Sequence, residues 1–194
     1  VVGENAAYVA RGMGANVTLL DRSLPRLRQL EADYTGKVNC VYSTREAIEK
    51  YSLEADLVIG AVLLPGASAP KLLTADIVSR MKPGSVVVDV AIDPGACLAT
   101  SHATTHQDPT YVVDGVVHYC VANMPGAVPV TSTNALNNAT LPFVLSLANN
   151  GVMKAMREDV HLMHGLNVHA GQLTYRAVAE AQNKNYISPE EIVR

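Results

Sequence analysis

The sequence is poor in several features that announce particular functions. It has no Trp and a single Phe, and aromatic residues fill only 5% of its 194 positions. A platform for stacking nucleic-acid bases is therefore excluded. Lys and Arg number 15 against 18 Asp and Glu, for a net charge of −3. No general attraction to nucleic acid follows, and no basic run marks a membrane surface. The three cysteines, Cys40, Cys97 and Cys120, lie far apart and form no C-x-x-C. That argues against a zinc site or disulfide framework and for reduced cytosolic thiols. The longest apolar runs, such as residues 86–90, are strand-length and too short to span a bilayer. No secretory leader is recognisable, but the first residue is Val1 and not Met, so the true start is expected upstream. Without a G-x-S-x-G elbow, hydrolase chemistry has no support.

What the chain does have is an ordinary globular balance, 48% hydrophobic and 17% charged, sufficient for a sizeable core. The stretch GENAAYVARGMG (3–14) reads as a helix stopped by Gly12 and Gly14. Residues 16–20 are β-branched and apolar and end at Asp21, a buried-strand pattern. Ser23 is placed to cap a helix with Leu24, Leu27 and Leu30 at helical spacing. A strand over 38–42, a helix over 44–51, and a strand over 56–62 follow. Thr74 then caps a helix to about Met81, before Pro83 and Gly84. Residues 85–92 form the strongest strand, and 116–121 one more.

Strands alternating with helical segments of about ten residues predict a parallel α/β sheet covered on both faces. Beyond Pro129 the pattern changes. Ser132 or Thr133 opens a helix over 134–150, ended by Gly151; a turn-rich segment around 165–171 and a helix near 175–182 follow. This tail shows no buried-strand pattern. The predicted fold is α/β, a Rossmann-like doubly wound parallel sheet with its first strand missing, plus a helical C-terminal extension. The predicted domains are 1–128 and 129–194.

The first residues carry the first chemical signal. A dinucleotide-binding turn runs G-x-G-x-x-G from strand into helix, so that backbone approaches the pyrophosphate and the helix N-terminus supplies amides. Val1, Val2 and Gly3 fit only the last three positions. The chain is expected to begin inside that loop. Asp21, 18 positions after Gly3 at the end of the next strand, stands where a ribose-binding acid belongs. A carboxylate there favours NAD over NADP, although Arg22 beside it is of the type that accommodates a 2′-phosphate. The plainer reading of Asp21 is a loop cap. An isolated 194-residue chain lacking the central strand is not expected to fold stably.

The run SVVVDVAID (85–93) places Asp89 inside a buried strand and Asp93 at its carboxyl end, the end at which doubly wound sheets bind ligands. Asp93 reads either as a functional acid or as a loop residue capping Gly95. Asp89 reads as structural, hydrogen-bonded to nearby backbone or hydroxyls. His161 and His164 share a helix, but no Glu or Cys completes a set, so no metal site is predicted.

Four runs together resemble the alanine dehydrogenase family: DLVIGAVLLPGA (56–67), MKPGSVVVDVAID (81–93), YCVANMPGAVP (119–129) and TSTNALNNATLP (131–142). The likeness covers essentially the whole chain. It implies NAD-dependent oxidative deamination of L-alanine to pyruvate and ammonium, in the cytoplasm, by a hexamer. It implies that Val1 and Gly3 belong to the pyrophosphate loop, that Asp21 binds the adenosine ribose with Arg26 beside the adenosine, and that Ser43 lies near the adenine. Val62 and Leu63 would line the cleft. Val90, Ala91, Ile92 and Asp93 would approach the nicotinamide, Asp93 as the catalytic acid, and Val121, Ala122, Asn123 and Met124 would close that side. The family's substrate-binding Arg, Lys and His precede this domain, so the chain alone is expected to show no alanine oxidation, and its tail to return to the substrate domain.

Two departures stand out. Where the family usually carries Arg-Pro this chain has His102 and Ala103, and Pro94, Gly95 and Ala96 replace Gln-Gly-Gly. If the lost Arg met a phosphate, NAD binding weakens by about 1.5–3 kcal/mol. Two rival readings share these residues. One is the NAD-binding component of proton-translocating transhydrogenase, disfavoured by the 131–142 run and the soluble tail. The other is a non-catalytic nucleotide-binding module.

Overall fold

The computed structural model describes residues 1–62 and 69–193. These fall into two compact units, residues 1–62 with 69–122, and residues 123–193.

The first unit alternates helix and strand: α1 (Val2–Gly12), β1 (Thr18–Asp21), α2 (Leu24–Asp33), β2 (Asn39–Tyr42), α3 (Arg45–Glu54), β3 (Leu57–Gly60), α4 (Ala75–Ser79), β4 (Val86–Asp89), β5 (Thr110–Val113) and β6 (Val116–Tyr119). Short polar side chains set three helix starts. Ser23 Oγ accepts from the Arg26 amide, Thr44 Oγ1 from Ala47 and Thr74 Oγ1 from Ile77. Each satisfies an amide that the helix leaves without a partner, a contribution of about 1 kcal/mol.

β1 and β2 pair in parallel, with Asp21 opposite Tyr42. A second sheet runs β3-β4-β6-β5, parallel from β3 to β6, with β5 antiparallel at the edge. The architecture is the expected α/β, Rossmann-like doubly wound one, in two sheet pieces that break between β1 and β3. Helix α1 touches both pieces. Its Ala7 is buried with Leu30, Tyr34 and Val38 against Val17 and Leu19, and a Cβ placed on Gly3 would stand 3.5 Å from that of Ala61. A second core gathers Ile77, Val78, Met81, Val87, Cys97, Leu98 and Val116, with Ile48 and Val58 packed on it. Burial of this apolar surface supplies the main driving force for the unit.

In this unit the expected strand over 85–92 and the place of Asp93 need correction, and one strand was missed. The strand expected over 85–92 stops at Asp89, because the Asp89 carboxylate accepts from amides beyond it and turns the chain. Asp93 therefore lies four residues past the strand, in a turn. Strand β5 was not foreseen. It makes a hairpin with β6 through Asp114 and Gly115, at φ 51° and 80°, as a two-residue turn requires.

In the second unit, α5 (Pro129–Asn150) begins at Pro129 instead of residue 134, since proline's fixed φ and missing N–H suit a first helical position. It buries no residue. Helices α6 (Val152–Glu158) and α7 (Val160–His164) follow. Then β7 (Val168–His169) and β8 (Gln172–Leu173) form a two-residue hairpin where turns alone were expected. Helices α8 (Arg176–Ala181) and α9 (Pro189–Val193) complete it. Ala155, Met156, Thr174, Ala179, Pro189 and Val193 are its buried residues among those described, and Arg157 Nε donates to the Val193 carbonyl at 2.7 Å. No described helix is long and apolar enough to cross a membrane.

Candidate functional site

The candidate residues of the first unit collect at one place in the topology, the carboxyl ends of its parallel strands. Asp21 is the last residue of β1, and Ser43 follows β2, its amide bonded to the Asp21 carbonyl at 2.9 Å. Val62 follows β3, Val90 follows β4, and Val121 follows β6. The register sets Gly60 beside Asp89, and Val88 beside Tyr119. Strand carbonyl ends and the loops beyond them form the ligand crevice in such sheets.

The start of α1 joins this edge. No side chain caps it, so its first amides and the positive end of its dipole stay available to an anion. Gly3 sits against Ala61, just past the end of β3. The neighbouring Glu4 makes a 2.5 Å ion pair with Arg26, which also donates to Gln29 at 2.7 Å. The Tyr34 hydroxyl donates to the Glu4 carbonyl at 2.8 Å; burial, then the charge of Glu4, raises its pKa. These contacts bring Arg26 to the start of α1, beside Gly3, and Asp21 precedes the helix that carries Arg26. Glu4 was not foreseen, because it meets Arg26 only through folding, 22 residues away.

Asp21 is half-buried, and its Oδ1 accepts from the Ser23 amide at 2.8 Å. The second oxygen of such a carboxylate suits vicinal hydroxyls, which donate, and repels a phosphate.

The loop after β4 is built differently. Asp89 is fully buried. Its oxygens accept from Ala91 N at 3.1 Å, Cys97 N at 3.0 Å, Leu98 N at 3.1 Å and Cys97 Sγ at 3.3 Å. Burial, then the adjacent Asp89 charge, pushes the Cys97 thiol up to about 12, so it remains a protonated donor. Gly60 completes the packing, since a Cβ there would fall 2.2 Å from Cys97 Sγ. Ala96 N closes the loop onto the Ala91 carbonyl at 2.7 Å, and Lys71 Nζ holds the Gly95 carbonyl at 2.6 Å. Asp93 is exposed between these fixed ends.

Burial qualifies some of the expected contacts. Ala91 and Val121 are buried, at 4% and 1% exposure, so they present almost no surface of their own to a ligand. Leu63 lies outside the described residues. Asn123 and Met124 belong to the second unit. There Asn123 takes a left-handed φ of 57°, and Met124 opens a 3₁₀ turn, Met124–Ala127.

The replaced position His102 stacks on Tyr111, with ring centroids 3.7 Å apart, and its amide donates to the Tyr111 hydroxyl at 2.9 Å. Below it the buried His118 donates from Nδ1 to the Val116 carbonyl and accepts the Thr100 hydroxyl at Nε2, at 3.0 and 2.8 Å. That arrangement is the neutral ring.

Residues 1–176 match the family model described as alanine dehydrogenase/PNT, C-terminal domain. The chain is 62% identical over 193 residues to alanine dehydrogenase of Halomonas elongata, a match covering 100% of this chain and 52% of that protein. It is 52% identical to alanine dehydrogenase 2 of Staphylococcus aureus, over 99% of this chain and 52% of that one. Among solved structures, an L-alanine dehydrogenase superposes with a TM-score of 0.84 at 51% identity, covering 94% of this chain and 50% of that one. A transhydrogenase from Sinorhizobium meliloti superposes with a TM-score of 0.68 at 25% identity, over 90% and 47%. The chain spans about half the length of the curated relatives it matches.

Proposed function

Because the chain belongs to the alanine dehydrogenase/PNT C-terminal domain family, we propose that the protein carrying it is an NAD-dependent L-alanine dehydrogenase and that this chain holds the cofactor half. The observation that carries the reading is the gathering of Asp21, Ser43, Val62 and the 90–93 loop at the strand carboxyl ends, beside the uncapped start of α1. The residues present suit a dinucleotide: an amide-rich helix start for a diphosphate, and a carboxylate at the end of the next strand for a ribose.

In this reading residues 1–128 are the nucleotide-binding domain and 129–194 a helical extension toward the substrate domain. Val1 and Gly3 offer backbone to the pyrophosphate. Asp21 accepts from the ribose hydroxyls, with Arg26 and Ser43 at the adenosine end. Val62 lines the cleft. Val90, Ala91 and Ile92 flank the nicotinamide, and Val121 and Ala122 close its other side. When bound, NAD supplies the hydride acceptor. The Asp93 carboxylate acts at the reacting end by holding or moving a proton, and the loop keeps it in near-attack geometry. The substrates are L-alanine, or pyruvate with ammonium in reverse; the enzyme works as a hexamer in the cytoplasm. Residues beyond this chain bind the amino acid, so the isolated chain turns over nothing.

The test is turnover by the intact protein with L-alanine and NAD, followed as NADH absorbance. Alanine-dependent NADH formation is expected. NAD binding without turnover supports a binding module instead, and hydride transfer to a second nucleotide supports a transhydrogenase component.

A further inference from the structure

From the loop that follows β4 we infer that Asp89 is a positioning residue, a buried anion that sets where Asp93 stands without touching substrate or cofactor. The inference rests on the reading of Asp93 as the catalytic acid.

Asp89 is fully buried, and among the described residues no cation pairs with it and its partners are the amides of Ala91, Cys97 and Leu98 and the thiol of Cys97. Those donors sit on both sides of Asp93, two residues before it and four and five after it. One side chain therefore ties both ends of the loop to the end of a central strand, paired on one side with β3 and on the other with β6. The loop needs such a tie. Gly95 and Ala96 both take positive φ, 104° and 63°, and for Ala96 that conformation is intrinsically unfavourable. Ala96 holds it within the Asp89 clasp and the Ala91–Ala96 bond. Every partner of Asp89 is a donor, which only an ionised carboxylate matches at both oxygens. An Asn keeps the shape but turns an N–H₂ toward amides that also donate.

The experiment uses the intact protein and measures kcat, KM for alanine, NADH affinity by fluorescence and melting temperature. The variants are Asp93→Asn, Asp89→Asn and the two combined. Asp89→Asn is expected to lower kcat about tenfold, the scale on which sub-ångström misplacement acts, with NADH affinity changed less than about threefold. The double variant is expected to match Asp93→Asn alone, because residues that act as one unit do not lose activity additively. Unchanged kcat in Asp89→Asn, or losses that multiply in the double variant, overturns the inference. Unchanged kcat in Asp93→Asn overturns the underlying reading and the inference with it. If Asp89→Asn does not fold, Cys97→Ala and Cys97→Ser decide. Cys97→Ala, which removes one donor, is expected to lower kcat about threefold, and Cys97→Ser to restore it; equal kcat in wild type and both variants overturns the proposal.

Discussion

At the end of β1, Asp21 is half-buried on a two-stranded sheet none of whose residues is fully buried, and the Ser23 amide donates to its carboxylate. At the end of β4, Asp89 is sealed in the core among four donors, and Asp93 is exposed on the loop they fix. The strand carboxyl ends of this unit therefore include a soft site on the two-stranded piece and a stiff one on the four-stranded piece. The difference follows the work proposed for each. Gripping a ribose needs donors and acceptors of the right kind, whereas transferring a hydride needs a reacting group held to fractions of an ångström.

The contrast makes graded predictions for the intact protein. Asp93→Asn is expected to lower kcat by about 10²–10⁴-fold, the range for a lost general acid or base, with NAD affinity little changed; steady-state rates and NAD titration check it. Asp21→Ala is expected to do the reverse, weakening NAD by about 1.5–3 kcal/mol and narrowing the preference over NADP while sparing kcat. If both variants act on kcat alone, the two sites do not differ as described.

Stability measurements sharpen the same comparison. Gly60→Ala drives a methyl into Cys97 Sγ, and denaturant unfolding is expected to show a loss of about 1–3 kcal/mol. At the soft site, Ser23→Ala removes only the cap of α2, for a loss of about 1 kcal/mol in the same assay. The smallest effect concerns pH. Burial holds the His118 imidazole below its ordinary value of 6.5, with His102 adding to this and the Val116 carbonyl and Asp89 opposing it. The unfolded chain then binds a proton more readily than the folded one, so the stability His118 confers is full above about 6.5 and declines as pH falls below it. Melting temperatures at pH 7.5 and 5.5 are expected to differ more for wild type than for His118→Asn.

Much of the fold was legible because short continuous apolar, β-branched runs and Ser or Thr caps are local. Strands β1, β2, β3, β4 and β6 and the caps Ser23, Thr44 and Thr74 all belong to that class. Strand β5 escaped because two of its four residues face solvent, leaving the Asp114-Gly115 turn as its one clear signal. Pro129 was likewise an available helix-start signal that the polar 132–133 pair outweighed. At the site, strand-end positions such as Asp21 and Ser43 follow from strand assignment. What they meet does not. The Asp89 clasp uses main-chain amides of residues 91, 97 and 98, which carry no signature in side-chain identity. The Glu4–Arg26 pair joins two helices far apart in sequence.

The most direct measurement is a crystal structure of the intact protein with NAD. It is expected to show the adenosine ribose hydroxyls within hydrogen-bond distance of Asp21, the pyrophosphate at Gly3, and the nicotinamide beside Val90 to Asp93. A dinucleotide bound elsewhere, or bound with its nicotinamide end at Asp21, contradicts the account.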